Sequence, residues 1–239
     1  MEKENTENVE NSETTESAGE IENEEPKENV DITDENVNNE AELPNLNYDF
    51  TKQPIKVSET DLNSVFTKGC KFSPDGLCVL LSTDDQKLRI YDLPPDFDDK
   101  TIENTVTVQE GENVYDFQWY PLMNSQDVDS CCFATTSRFQ PIHLYDAFDG
   151  HIRATYRCFD HLDEMVAARS INFDPSGHKL IAGLKNQIRI FDVNVPGRDC
   201  QTIQTFTKND GGLSGIISSI GEQSNTYCLQ TCRKITTLL

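Results

Sequence analysis

The chain has 239 residues, 36% of them hydrophobic and 26% charged, and a formal net charge of −22. A body this acidic repels phosphate, which excludes nucleic-acid binding through a general basic field and leaves only a few local cations to hold any polyanion. No basic n-region leads into an apolar stretch and no run of about 18 apolar residues occurs, so neither a signal peptide nor a membrane-spanning helix is expected and the reading is of a soluble intracellular protein.

Residues 1–43 contain 16 Asp/Glu, 2 Lys and no aromatic residue, so −14 of the net charge lies there and −8 in the rest. Such a segment cannot bury enough apolar surface to offset ordering its backbone, and it is expected to be disordered. Blade-like repeats occupy residues 44–220. In the first unit, Phe72-Ser73-Pro74-Asp75-Gly76 reads as a turn, because proline presets its φ and glycine accepts a positive one. Cys78-Val79-Leu80-Leu81 is apolar throughout, as in a strand covered on both faces. Lys87 to Tyr91 alternates polar and apolar residues and ends on Asp92, and Thr101 to Val108 is a more polar fourth strand.

The second unit repeats this order in worn form. Trp119-Tyr120-Pro121 precedes the apolar Cys131 to Ala134, Ile142 to Tyr145 ends on Asp146, Asp149-Gly150 makes a hairpin turn, and Ile152 to Arg157 is the outer strand. The third unit has Phe173-Asp174-Pro175-Ser176-Gly177, then Leu180 to Gly183, then Gln187 to Phe191 ending on Asp192, then Gln201 to Thr207. The three closing aspartates lie 54 and 46 positions apart, a period that marks a repeat architecture. A fourth unit begins with Gly215 to Ile220, but no aromatic-x-Pro follows in residues 221–239. The expectation is an incomplete propeller of about three blades plus one strand, with a divergent tail after Ile220. A β-propeller closes with about 4–8 blades. A chain ending in this way is therefore expected to be marginally stable, dependent on chaperones, and short of the full activity of a complete ring.

Aromatic-x-Pro-Asp-Gly, an apolar strand and a run ending in aromatic-Asp resemble the WD40 repeat, with Tyr-Asp or Phe-Asp in place of Trp-Asp. Asp85 stands where that family keeps its turn aspartate, whereas the same offset gives Phe139 and Lys185 in the next two units, and no Gly-His dipeptide precedes the inner strands. A narrower resemblance covers about residues 62–220. The stretches VYDFQWYPLMNS at 114–125, PIHLYDAFDGHIRATYRCFDHLDEMVAARSINF at 141–173 and PGRDCQTIQTF at 196–206 are similar to the telomerase Cajal body protein family. That resemblance implies an all-β, WD40-type propeller that binds small Cajal body RNAs and telomerase RNA and directs their ribonucleoproteins to Cajal bodies in the nucleus. It also implies protein partners, and neither a membrane nor a small-molecule substrate. A generic protein-binding WD40 scaffold is the alternative.

No Gly-rich phosphate loop, His-Glu-x-x-His or Gly-x-Ser-x-Gly is present, so a non-enzymatic protein without cofactor or metal is expected. His161-Leu162-Asp163-Glu164 reads as a solvated loop. The cations placed to contact RNA are Arg138, Arg157, Arg169, Lys185 and Arg198, all near strand ends. Arg89 and Arg189, in mid-strand, read as ion-pair partners on blade surfaces, and His143 as a packed, hydrogen-bonded imidazole. Cys70, Cys78, Cys131, Cys132, Cys158 and Cys200 lie in or beside strands and are expected as buried thiols, with Cys228 and Cys232 incidental.

Overall fold

The computed structural model describes residues 58, 59, 62, 64–93, 100–223, 226–232 and 234–238. The disorder expected over residues 1–43 lies outside the described residues. Four antiparallel sheets follow one another along the chain as β-propeller blades. Blade one holds β1 (Thr67–Phe72), β2 (Cys78–Thr83), β3 (Lys87–Asp92) and β4 (Asn104–Gln109). Blade two holds β5 (Val114–Trp119), β6 (Cys132–Ser137), β7 (Ile142–Asp146) and β8 (Ile152–Tyr156). Blade three holds β9 (Ser170–Phe173), β10 (Lys179–Gly183), β11 (Gln187–Asp192) and β12 (Gln201–Gln204).

The fourth sheet corrects the expectation of a lone strand. β13 (Ile217–Gln223) pairs with β14 (Thr226–Thr231), which pairs with β15 (Ile235–Leu238). The boundary expected after Ile220 therefore falls inside β13. The missed signal is alternation: in Thr226 to Thr231, Tyr227, Leu229 and Thr231 are buried while Cys228 and Gln230 face out. A turn signature built on aromatic-x-Pro is not the only way to start a hairpin.

Apolar residues pack between blades, in three successive cores. Leu80, Leu88 and Ile90 of blade one meet Phe117, Trp119 and Phe133 of blade two. Ala134, Leu144 and Tyr156 meet Ile171, Leu180 and Phe191 of blade three, and Ile181, Ile188 and Ile190 meet Ile217, Ile220, Tyr227 and Leu229. Each fully buried side chain of this kind contributes about 1.5–3 kcal/mol. Consecutive inner strands are also tied by polar bonds. Lys71 Nζ donates to the Phe117 carbonyl at 2.6 Å, the Trp119 indole to the Lys71 carbonyl at 3.0 Å, the Ile171 N–H to Asp116 at 2.9 Å, and Ser170 Oγ to the Ile217 carbonyl at 2.9 Å. Gly183 allows blades three and four to come this close, since a Cβ there would collide with Ser170 Oγ and sit 2.9 Å from Ile217.

The polar networks inside the blades are also visible. In blade one the carboxylate of Asp85 takes Arg89 (2.6 Å) and Thr83 (2.5 Å), which holds its carboxyl well below the usual range, chiefly through the Arg89 hydrogen bond. Arg189 does not repeat this ion pair, because the residue at the matching turn position is Lys185; its guanidinium donates instead to the Phe159 carbonyl. Blade two places Glu110, 1% exposed, against Thr135, Ser137 (3.0 Å) and His143 Nδ1 (3.5 Å). Burial pushes the Glu110 carboxyl up, but the hydrogen bonds from His143 and Thr135 outweigh it and the net shift is downward. All eight cysteines are free. Cys131, Cys132 and Cys158 are buried as expected, whereas Cys70 is exposed because it lies on an inner strand with no described blade preceding it.

Candidate nucleic-acid interface

Strand alternation divides the blade connections between two ends. Those after the second and fourth strands of each blade lie at one end, called here the upper end, and those after the first and third lie at the lower end. At the upper end a cavity of about 620 Å³ opens where blades two, three and four meet. It draws Tyr115 from the start of β5, Phe139 from the β6–β7 turn, His161 and Arg169 from the β8–β9 connection, Lys185 from the β10–β11 turn and Ile216 from the approach to β13.

Of the five cations singled out above, Arg169 and Lys185 line this cavity, and both are exposed. Arg138 stands next to it, its guanidinium 4.5 Å from the centre of the Phe139 ring. Arg169 lies 4.1 Å over the Tyr115 ring. Arg157 and Arg198 are elsewhere. Arg157 is exposed just beyond β8, where its N–H donates to the Gly197 carbonyl at 2.7 Å. The β11–β12 connection runs beside β8 through a parallel bridge between Gly197 and Tyr156, and Arg198 lies over the Phe159 ring at 4.4 Å with Asp163 as its ion-pair partner at 2.5 Å.

The aromatic lining was missed in sequence. Phe139 is 66% exposed with φ of 60°, a left-handed backbone uncommon for a bulky residue. The corresponding turns of blades one and three give this conformation to Gln86 (φ 63°) and Asn186 (φ 62°). An exposed aromatic ring held out from a strained turn beside Arg138 is a pattern expected of a functional residue. Its sequence signal was the phenylalanine at the offset of the turn aspartate. The acid in the lining, Asp160, is occupied locally. It accepts the backbone N–H groups of Glu164 (3.0 Å) and Leu162 (2.8 Å), and chiefly the first holds its carboxyl below the ordinary value. His161 to Glu164 is exposed, as its reading as a solvated loop requires.

Metal-ligating side chains converge at one place among the described residues, Asp146, Asp149 and His151 at the lower end. There Asp146 is paired with Arg153 at 2.6 Å and Asp149 with His151 at 2.5 Å, so each group already has a partner within the chain.

Tyr115 and Phe139 beside guanidinium and ammonium groups offer the kind of faces on which single-stranded bases stack. The blades that carry this set also relate the chain to known proteins. Telomerase Cajal body protein 1 of Mesocricetus auratus is 44% identical over 162 residues, covering 65% of this chain, and the Homo sapiens protein of that name is also 44% identical over 162 residues. This chain is a homologue of telomerase Cajal body protein 1. The Drosophila melanogaster telomerase Cajal body protein 1 homolog is 39% identical over 145 residues, 56% of this chain. No family model matches the chain. The chain spans about 30% of the length of the mammalian relatives it matches and 27% of the Drosophila one.

Proposed function

We propose that this chain is a WD40-type scaffold that binds a single-stranded element of a small Cajal body RNA or telomerase RNA at the upper-end cavity and helps direct that ribonucleoprotein to Cajal bodies. The observation that carries the proposal is the meeting of Arg169 and Lys185 with Tyr115 and Phe139 in one 620 Å³ cavity. Aromatic faces stack on splayed bases, guanidinium planes add cation–π attraction, and phosphates fall to the ammonium and to Arg138. The relatives' name, telomerase Cajal body protein 1, supports the choice of a telomerase or Cajal body ribonucleoprotein. The role proposed for the protein is recognition; no side chain in the cavity is assigned a catalytic task.

Because the body is acidic and the cations are few, binding at this cavity carries a specific salt signature. Fluorescence anisotropy of the intact chain with a labelled single-stranded oligoribonucleotide should show selective binding with a shallow dependence on salt, equivalent to about two or three neutralised phosphates. Equal affinity for duplex and single strand, or a slope equivalent to many phosphates, would remove the proposal.

A further inference from the structure

At the lower end a second cavity, of about 700 Å³, opens between blades one and two. Its floor is buried and apolar: Trp119, Met123 and Ile90 are 3%, 5% and 3% exposed. Its mouth is apolar and bare, since Phe72, Leu77 and Phe148 are 67%, 50% and 54% exposed. Register shows how unusual this is. Phe72 occupies the inner-strand position that Trp119 and Phe173 occupy in blades two and three, and both of those are buried against the preceding blade.

Among the described residues, no lysine, arginine or histidine lines the cavity, while Asp92 lines it and is exposed. Asp75, next to the lining residue Gly76, stays ionised: burial raises its carboxyl, but the Ser125 and Ser73 hydroxyls and the N–H groups of Leu77 and Ser125 bring it down to about 2. Asp149 adjoins Phe148 and is exposed, but it is paired with His151. Arg153 is spent on Asp146 and on the carbonyls of Asp129 (2.6 Å) and Val128 (2.9 Å). The Cys78 thiol in the lining is not activated. Burial, then hydrogen bonding to Asp92, pushes the Cys78 thiol up to about 12, so it stays protonated and donates to that carboxylate at 3.3 Å.

We propose that this cleft docks a short basic segment of a partner protein, with one apolar side chain inserted against Trp119 and Met123 and flanking Lys or Arg residues paired with Asp92 and Asp75. Charge complementarity selects this occupant. An RNA meets only carboxylates here, and a second copy of the chain brings a net charge of −22 of its own. The site is separate from the upper-end cavity and does not depend on what binds there.

The chain contains one tryptophan, and it lies in the floor of the cleft. Trp119 emission therefore reports occupancy directly. The probe is an acetylated, amidated hexapeptide, Lys-Arg-Leu-Phe-Lys-Arg, titrated into the intact chain. A saturable change in emission is expected, weakened at least about tenfold by Leu77→Arg, which puts a like charge and bulk in the mouth. Asp92→Asn should weaken it about threefold and flatten its salt dependence. Peptides with Ser-Ser for Leu-Phe, or with Glu for every Lys and Arg, should leave the emission unchanged. Circular dichroism checks that Leu77→Arg keeps the fold; if it does not, Phe148→Ser takes its place, with the same loss expected. An unchanged emission with the basic probe, equal binding of the acidic peptide, or indifference to a folded mouth variant overturns the proposal.

Discussion

Phe139 bears a backbone cost that its neighbours in the repeat avoid. Gln86 and Asn186 hold the same left-handed conformation with polar side chains that accept it, while Phe139 places a bare ring at the rim of the upper-end cavity. Phe139→Asn should therefore leave thermal stability unchanged or raise it by up to about 1 kcal/mol, the strain relieved being offset in part by the missing cation–π attraction to Arg138. The same variant should weaken RNA binding by about 1–3 kcal/mol, the worth of one stacked base. Denaturant melts and anisotropy on one preparation measure both, and a variant that loses stability while keeping affinity would mean that the ring serves packing. The cations differ in kind. Arg169→Ala and Lys185→Ala should each reduce the salt slope by about one, whereas Arg198→Ala, already paired with Asp163, should change it little.

Among the elements, the β1–β2 turn links two blades through a carboxylate. Asp75 accepts the Ser125 N–H at 2.9 Å and its hydroxyl at 2.5 Å, and titrates near 2 against an ordinary 3.8. A depressed carboxyl adds stability that is fully present above its unfolded value and is lost as the pH falls from about 4 towards 2. Asp75→Asn should remove that acid-dependent part, on the order of 1–2 kcal/mol after allowance for its partial exposure, and flatten the stability profile in that window. Denaturant midpoints from pH 5 to pH 2 provide the check. The tail makes a second element-scale prediction. Leu229 is fully buried against Ile217 and blade three, so Leu229→Ala should cost about 2–5 kcal/mol of unfolding free energy. A loss near zero would mean that residues after Ile220 do not build a fourth blade. The three complete blades were legible because each writes its turns with proline and glycine and its strands with the right period. The fourth was not, because β14 and β15 carry only alternation, with no turn signature to announce them. Glu110 was illegible for a related reason: its partners Thr135, Ser137 and His143 lie 25 to 33 positions away and meet it only through the sheet.

For the molecule as a whole, the two ends of the blade stack differ in chemistry although they come from the same repeat. The upper end gathers aromatic rings with Arg169 and Lys185, while the lower end sets apolar side chains among aspartates. Residue types alone placed five cations on equal footing; the fold brings Arg138, Arg169 and Lys185 to the cavity, while Arg157 and Arg198 stay outside its lining, Arg198 held by Asp163 and Phe159. The path of the connections decides that division, and it is not visible in the positions of the charged residues along the chain. RNA held at the upper end is the central claim, and ultraviolet crosslinking of the intact chain to a small Cajal body RNA, with the adducts mapped by mass spectrometry, tests it directly. Adducts on Tyr115 and Phe139, abolished when Arg169 and Lys185 are both replaced by alanine, are the expected result. Adducts confined to the lower end, or none above the level of an unrelated RNA, would contradict it.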